Sequence, residues 1–234
     1  MNTTLIQAAA LIVPLIIAIV FHEVAHGLVA RALGDTTAQD ARRLTLNPLR
    51  HVDPVGTVIL PGMLALAHAP VFGWAKPVPV NQWRLRNPRF GMMAVAAAGP
   101  ATNLLLGAAG AAVLGLLLRV HPAADRGIGV AGFIGLNLIN FIAINVFLAL
   151  FNLLPIPPFD GSHIVEGVLP PRLARGYARL RRFGFALVFL LLIVLPMFVP
   201  GFSVIARWVE PPVEWLFGHY LRLAAAIAGF PVSS

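Results

Sequence analysis

The stretch LIIAIVFHEVAHGLVARAL, Leu15–Leu33, has the length and apolarity of a membrane-spanning helix, yet His22, Glu23 and His26 lie in its middle. A helix crosses the hydrocarbon core of a bilayer with about 20 apolar residues. Ionisable groups at that depth are costly unless a partner or a metal ion compensates them, so the triplet is a candidate site by default. Helical residues turn by about 100° each, which places positions 22 and 26 about 40° apart on one face, one turn along the axis. Two imidazoles so placed reach a single tetrahedral metal ion. Glu23, about 100° round the helix from His22, reaches a water beside the metal rather than the metal itself. This is the H-E-x-x-H arrangement of metalloproteases, in which the Glu is the general base.

The rest of the chain has the same character. Of 234 residues, 59% are hydrophobic and 11% charged, and the mean hydropathy is +0.84. Soluble domains average about 45–50% apolar and about 25% charged residues. The expected fold is an all-α polytopic membrane protein with about 4–6 transmembrane helices. Further apolar runs cover about Phe90–Leu118, Val130–Leu154 and Phe183–Val199. The tail from Phe202 to Phe230 reads as an interfacial helix followed by a short apolar one. Between the first two core helices, Val55–Ala69 is short and broken by Pro61-Gly62, which suggests a re-entrant or interfacial segment. Residues 1–234 are expected to form one protease domain, with the site in about 5–165 and C-terminal helices in about 180–230.

The net charge of +8 resides in loops between apolar runs, where basic residues set topology and meet lipid headgroups, so no nucleic-acid partner is expected. The basic loops Gly34–Arg89 and the one after the third span belong in the cytosol by the positive-inside rule, with the N-terminus outside. The expectation is a multi-pass protein of the cell membrane with its active site near the cytosolic side. Met1–Gln7 holds no Lys or Arg and no cleavage site follows, so the first helix is expected to be retained. The chain contains 0 Cys, so a metal must use His, Asp, Glu or water.

A third protein ligand is sought in FNLLPIPPFDGSHIVEG, Phe151–Gly167. Asp160 follows a proline-broken helix end, and Gly161 would allow an unusual turn beside it. Asp160 is favoured, with His163 and Glu166 as rivals. His51, His68, His121 and His219 fall in loops or near interfaces and are expected to be solvated.

H-E-x-x-H in an early span and N-x-x-P-x-P-x-x-D-G at Asn152–Gly161 together resemble the site-2 protease family of intramembrane zinc metalloproteases. AGPATN, Ala98–Asn103, resembles that family's motif in the middle core helix, and GWAKPVPVN resembles a loop of its short bacterial and archaeal members. The resemblance implies hydrolysis of peptide bonds within or beside transmembrane segments of membrane-protein substrates. It also implies one Zn2+ per chain on His22, His26 and Asp160, with Glu23 as base. PDZ and CBS modules found in many members have no counterpart in these residues, so gating by such modules is not carried over.

Asn103 is a candidate oxyanion donor, because a carboxamide at membrane depth can stabilise a tetrahedral intermediate. Asn152 is read as a substrate contact or a support for the ligands, against a plain helix–helix hydrogen bond, and Asn145 as structural. Trp74, Trp83, Trp208 and Trp215 fit an interfacial belt. In Pro77–Val80 the prolines lack N–H groups, so Val78 and Val80 would present their amides on one edge and bind an unwound substrate strand there. A surface loop whose prolines block edge pairing is the alternative. A metal transporter or a silent chaperone-like membrane protein is the rival function. The intact Glu23 argues against silence, and the scarcity of polar residues in the spans argues against transport. The sequence leaves the oligomeric state open.

Overall fold

The computed structural model describes residues 3–59, 63, 66, 74–124, 129–199 and 203–231, and among these all regular structure is helical. The α-helices are α1 (Thr3–Ala32), α2 (Thr37–Asp40), α3 (Pro88–Val120), α4 (Gly129–Asn152), α5 (Asp160–Val168), α6 (Pro171–Ala178), α7 (Gly184–Phe189), α8 (Leu195–Phe198) and α9 (Glu210–Ala228). Among the described residues, three stretches are long and apolar enough to cross a membrane: Ala10–Ala32 within α1, and the whole of α3 and α4. An all-α polytopic membrane fold follows. Large apolar side chains stay exposed along these helices, including Leu11, Ile12 and Val13 on α1 and Leu105 and Leu116 on α3. In water that would be a liability, whereas a bilayer requires it.

Local signals explain the helix ends. Pro88 opens α3 where a missing N–H costs nothing, and the Asn87 side chain accepts from the Phe90 amide. Arg119 closes the same helix near its negative pole. Gly229 ends α9 in the left-handed region at φ +83°, a conformation that favours glycine.

The chain divides into two compact units, and α1 and α3 contribute to both. The first comprises Met1–Ala18, Pro100–Asn152 and Ile205–Ser234. Its core joins Ala111, Leu114 and Leu118 of α3 to Ile142 and Val146 of α4 and Ala224 of α9. Asn103 is fully buried there and donates to the Ala18 carbonyl at 3.2 Å and to Asn145 Oδ1 at 2.7 Å. The second unit comprises Ile19–Gly99 and Leu153–Val204 and carries the candidate site.

Several expectations change. In the tail, Glu210–Ala228 is one continuous helix, α9, in place of two separate helices. Val213, Leu216, Phe217, Tyr220, Leu221 and Ala224 recur at helical spacing on the side of α9 that packs, while Glu214 and Arg222 are exposed. The run Phe183–Val199 is not one regular α-helix. A π-helical turn, Leu190–Val194, separates α7 from α8. Pro196 follows it, and a proline cannot donate to the preceding turn. Ile205–Val209 is wound the same way ahead of Pro211-Pro212. Pro54–Ile59 also forms a π-helical turn, and most of the segment expected to be re-entrant lies outside the described residues. His51 is buried rather than solvated: its Nε2 meets the Thr45 carbonyl at 2.9 Å. His121 is exposed, while His219 is half-buried with Nδ1 against the Trp215 carbonyl at 2.6 Å. His68 lies outside the described residues.

Candidate metal centre

His22 and His26 are buried on one face of α1, their rings edge to face with centroids 4.6 Å apart. The carboxylate that meets them comes from the first turn of α5. Asp160 Oδ2 lies 3.2 Å from His22 Nε2 and 3.3 Å from His26 Nε2. This oxygen is buried and makes no well-formed hydrogen bond in the structure. Metal–nitrogen and metal–oxygen bonds of about 2.0–2.1 Å in a tetrahedron put ligand atoms about 3.3–3.4 Å from one another. The spacing is therefore that of two edges of a zinc tetrahedron, and the donor set is two imidazoles and one carboxylate. Burial opposes the charge on Asp160, but the two imidazoles beside it outweigh that and hold its carboxyl at about 2. It is ionised at neutral pH, as a ligand must be. The residues present fit a zinc ion.

His26 Nδ1 lies 2.7 Å from the Val95 carbonyl on α3. A carbonyl only accepts, so Nδ1 carries the proton and Nε2 keeps its lone pair for a metal. Gly99, one helical turn further along α3, faces both rings. A Cβ there would fall 2.5 Å from His26 Nε2 and 2.6 Å from His22 Nε2. Gly161 differs from its expected role. It has no positive φ and lies inside α5; a side chain there would strike the Leu153 carbonyl oxygen at 2.2 Å. Close backbone approach, not an unusual turn, demands the glycine.

The rival ligands stand outside this group. Glu166 pairs with Arg181. Burial and the Arg181 guanidinium push His163 down to about 4, so it is neutral, and neither residue joins the His22–His26–Asp160 group.

Glu23 is half-buried, and its Oε2 accepts from the backbone N–H of Val78 at 2.7 Å. The extended segment thus brings its Val78 edge to Glu23, and this amide is engaged rather than open to a substrate. Val80 donates to no described residue. Asn103 spends two N–H bonds on Ala18 and Asn145, and Asn152 donates to the Leu148 carbonyl of its own helix at 2.9 Å. Both belong to the first unit.

Sequence reasoning missed Gly99, Gly27, Arg43 and Asp35, which shape or anchor this neighbourhood, and the Val95 carbonyl. Gly99-Pro100 in an apolar helix was a signal for the first of these. A backbone carbonyl leaves none.

The model of peptidase family M50 matches residues 128–195, which include Asp160. A Bacillus subtilis protein named "Putative zinc metalloprotease YwhC" is 39% identical over 189 residues, covering 80% of this chain and 81% of the relative. Relatives named Rip2 with the same description are 31% identical in Mycobacterium tuberculosis (90% of this chain, 75% of the relative) and 29% identical in Mycolicibacterium smegmatis (84% and 68%). No solved structure matches the chain. Neither a transporter nor a silent membrane chaperone finds support among these similarities. With its two motifs and relatives of this extent, the chain belongs to peptidase family M50, the site-2 protease family of zinc metalloproteases.

Proposed function

We propose that the chain is an intramembrane zinc endopeptidase that hydrolyses peptide bonds within or beside transmembrane segments of other membrane proteins. The observation that carries this reading is the approach of Asp160 Oδ2 to both Nε2 atoms, 3.2 and 3.3 Å, at an apolar helix long enough to span a bilayer. His22, His26 and Asp160 would hold one zinc ion. Bound there, zinc supplies Lewis-acid polarisation of a peptide carbonyl and of water. Glu23 takes the proton from the attacking water and passes it to the leaving amine. The Val95 carbonyl holds the His26 ring in the tautomer that leaves Nε2 a donor of electrons.

A transmembrane substrate hides its carbonyls in its own helical hydrogen bonds, so it must open locally before attack. Val80 has an amide without an acceptor among the described residues and is the contact we assign to the opened strand. The basic loops favour a cell-membrane location with the site toward the cytosol. The test uses purified protein in vesicles with a single-span substrate. Glu23→Gln should retain zinc and lose cleavage by at least about 10²-fold, the scale of general-base loss. Cleavage at the wild-type rate in that variant would contradict the mechanism.

A further inference from the structure

Of the two carboxylate oxygens of Glu23, Oε2 is held by the Val78 amide at 2.7 Å, and Oε1 accepts from no described residue. Val78 lies between Pro77 and Pro79, which have no N–H. No neighbouring amide could take its place.

The position of that amide is fixed from both sides. Upstream, the Lys76 N–H donates to the His51 carbonyl at 2.9 Å, and the Lys76 carbonyl accepts from the buried Arg43 guanidinium at 2.7 Å. Downstream, the Asn81 N–H donates to the buried Asp35 carboxylate at 2.6 Å. Between them the Val78 side chain is buried over Gly27, where a Cβ would come within 3.0 Å of Val78 Cγ1. Gly27 is one turn beyond Glu23 on α1, so the same helix face carries the carboxylate and the seat for the residue that grips it. Arg43 and Asp35 are ionisable side chains used here to fasten backbone atoms. Burying such groups is costly, and their effect is to hold residues 76–81 in one place.

We propose that the backbone N–H of Val78 is the positioning donor for the catalytic base: it holds Oε2 of Glu23 and leaves Oε1 for the attacking water. An N–H to a carboxylate is a short, charge-assisted bond, and an anchored donor spares the base a search through rotamers at the moment of reaction. The inference rests on Glu23 acting as base. It moves Val78 from substrate pairing to the support of Glu23 and leaves pairing to Val80.

Two measurements test it. The first is hydrogen–deuterium exchange of zinc-loaded protein, resolved to single residues across 74–81. The Val78 amide should exchange slowly in the wild type and in Glu23→Gln, whose carboxamide oxygen still accepts. In Glu23→Ala it should exchange at least about tenfold faster, with Lys76 and Asn81 unchanged. Equal protection of Val78 in all three proteins overturns the proposal. This readout needs no turnover, so it fails or succeeds independently of protease activity. The second replaces Val78 by its α-hydroxy acid, which exchanges the N–H for an ester oxygen and keeps the side chain. Cleavage should then show kcat lower by about ten- to a hundredfold, the scale of a hydrogen bond to a charged group, with KM and zinc content unchanged. A loss confined to KM would make Val78 a substrate contact, and a kcat unchanged or raised would make the bond idle or a lock; each of these overturns the proposal.

Discussion

Gly99 is a side chain left out so that two others can meet. Alanine is about 1 kcal/mol better than glycine in a helix interior, so α3 gains nothing locally from the glycine. The space it leaves is where a Cβ would press on His22 and His26, and His26 cannot swing aside without losing the Val95 carbonyl. Gly99→Ala should therefore weaken zinc binding by about 10–100-fold, the usual cost of disturbing a ligand's support, with helix content unchanged. Competition against a chelator measures this, and wild-type affinity in the variant would show that the rings tolerate the contact. In the sequence, AGPATN stood out as a motif and for Asn103, and gave Gly99 no role of its own. Nothing in a one-dimensional pattern names the partner of a glycine, because the partner lies far along the chain. The Val95 carbonyl was hidden for a simpler reason: backbone groups are the same in every residue, and the Val78 amide stood out only through its flanking prolines, which do not name Glu23 as its acceptor. His22 and His26 could be read because both ligands ride one helix, whose period converts spacing into geometry.

Helices in a membrane need something other than apolar surface to choose neighbours, and α3 and α4 use a buried amide pair. Asn103 donates to Asn145 Oδ1, while Asn145 donates back along its own helix to the Phe141 carbonyl at 2.8 Å. Asn145→Leu removes the acceptor and leaves Asn103 short of a partner, which should destabilise the protein by about 1–2 kcal/mol. Zinc stoichiometry should not change, since the ligands belong to the other unit. Denaturant unfolding in detergent with parallel metal analysis would check both halves. A variant that lost zinc while keeping its stability would reverse this assignment. Element by element, the runs Phe90–Leu118 and Val130–Leu154 were legible to within about two residues because hydropathy alone marks a span, whereas Phe183–Val199 was not. The tail was misread because Glu214 and Arg222 look like interruptions in a string, although they sit on the outer side of the single helix α9. The π-helical turns before Pro196 and Pro211 were equally illegible, since a proline announces a defect without saying how the backbone will absorb it.

For the molecule as a whole, the charge pattern predicts an orientation that chemistry can read directly. With 0 Cys, single cysteines can be placed without background. A cysteine at exposed Asn47, in the basic loop, should react with a membrane-impermeant thiol reagent only from the cytosolic side, and one at exposed His121 only from the opposite side. The reverse pattern would invert the topology. Function depends on a smaller set of atoms, two imidazoles of α1 and the carboxylate of Asp160, which the fold brings to the spacing of a zinc tetrahedron. Zinc-edge X-ray absorption on the purified protein measures that set most directly. The spectrum should show two imidazole nitrogens and the remaining donors as oxygen, all at about 2.0–2.1 Å; Asp160→Ala should lose the metal and His163→Ala should retain it. A protein that binds no zinc, or a zinc shell with three imidazoles that collapses in His163→Ala and survives Asp160→Ala, would contradict the centre described here.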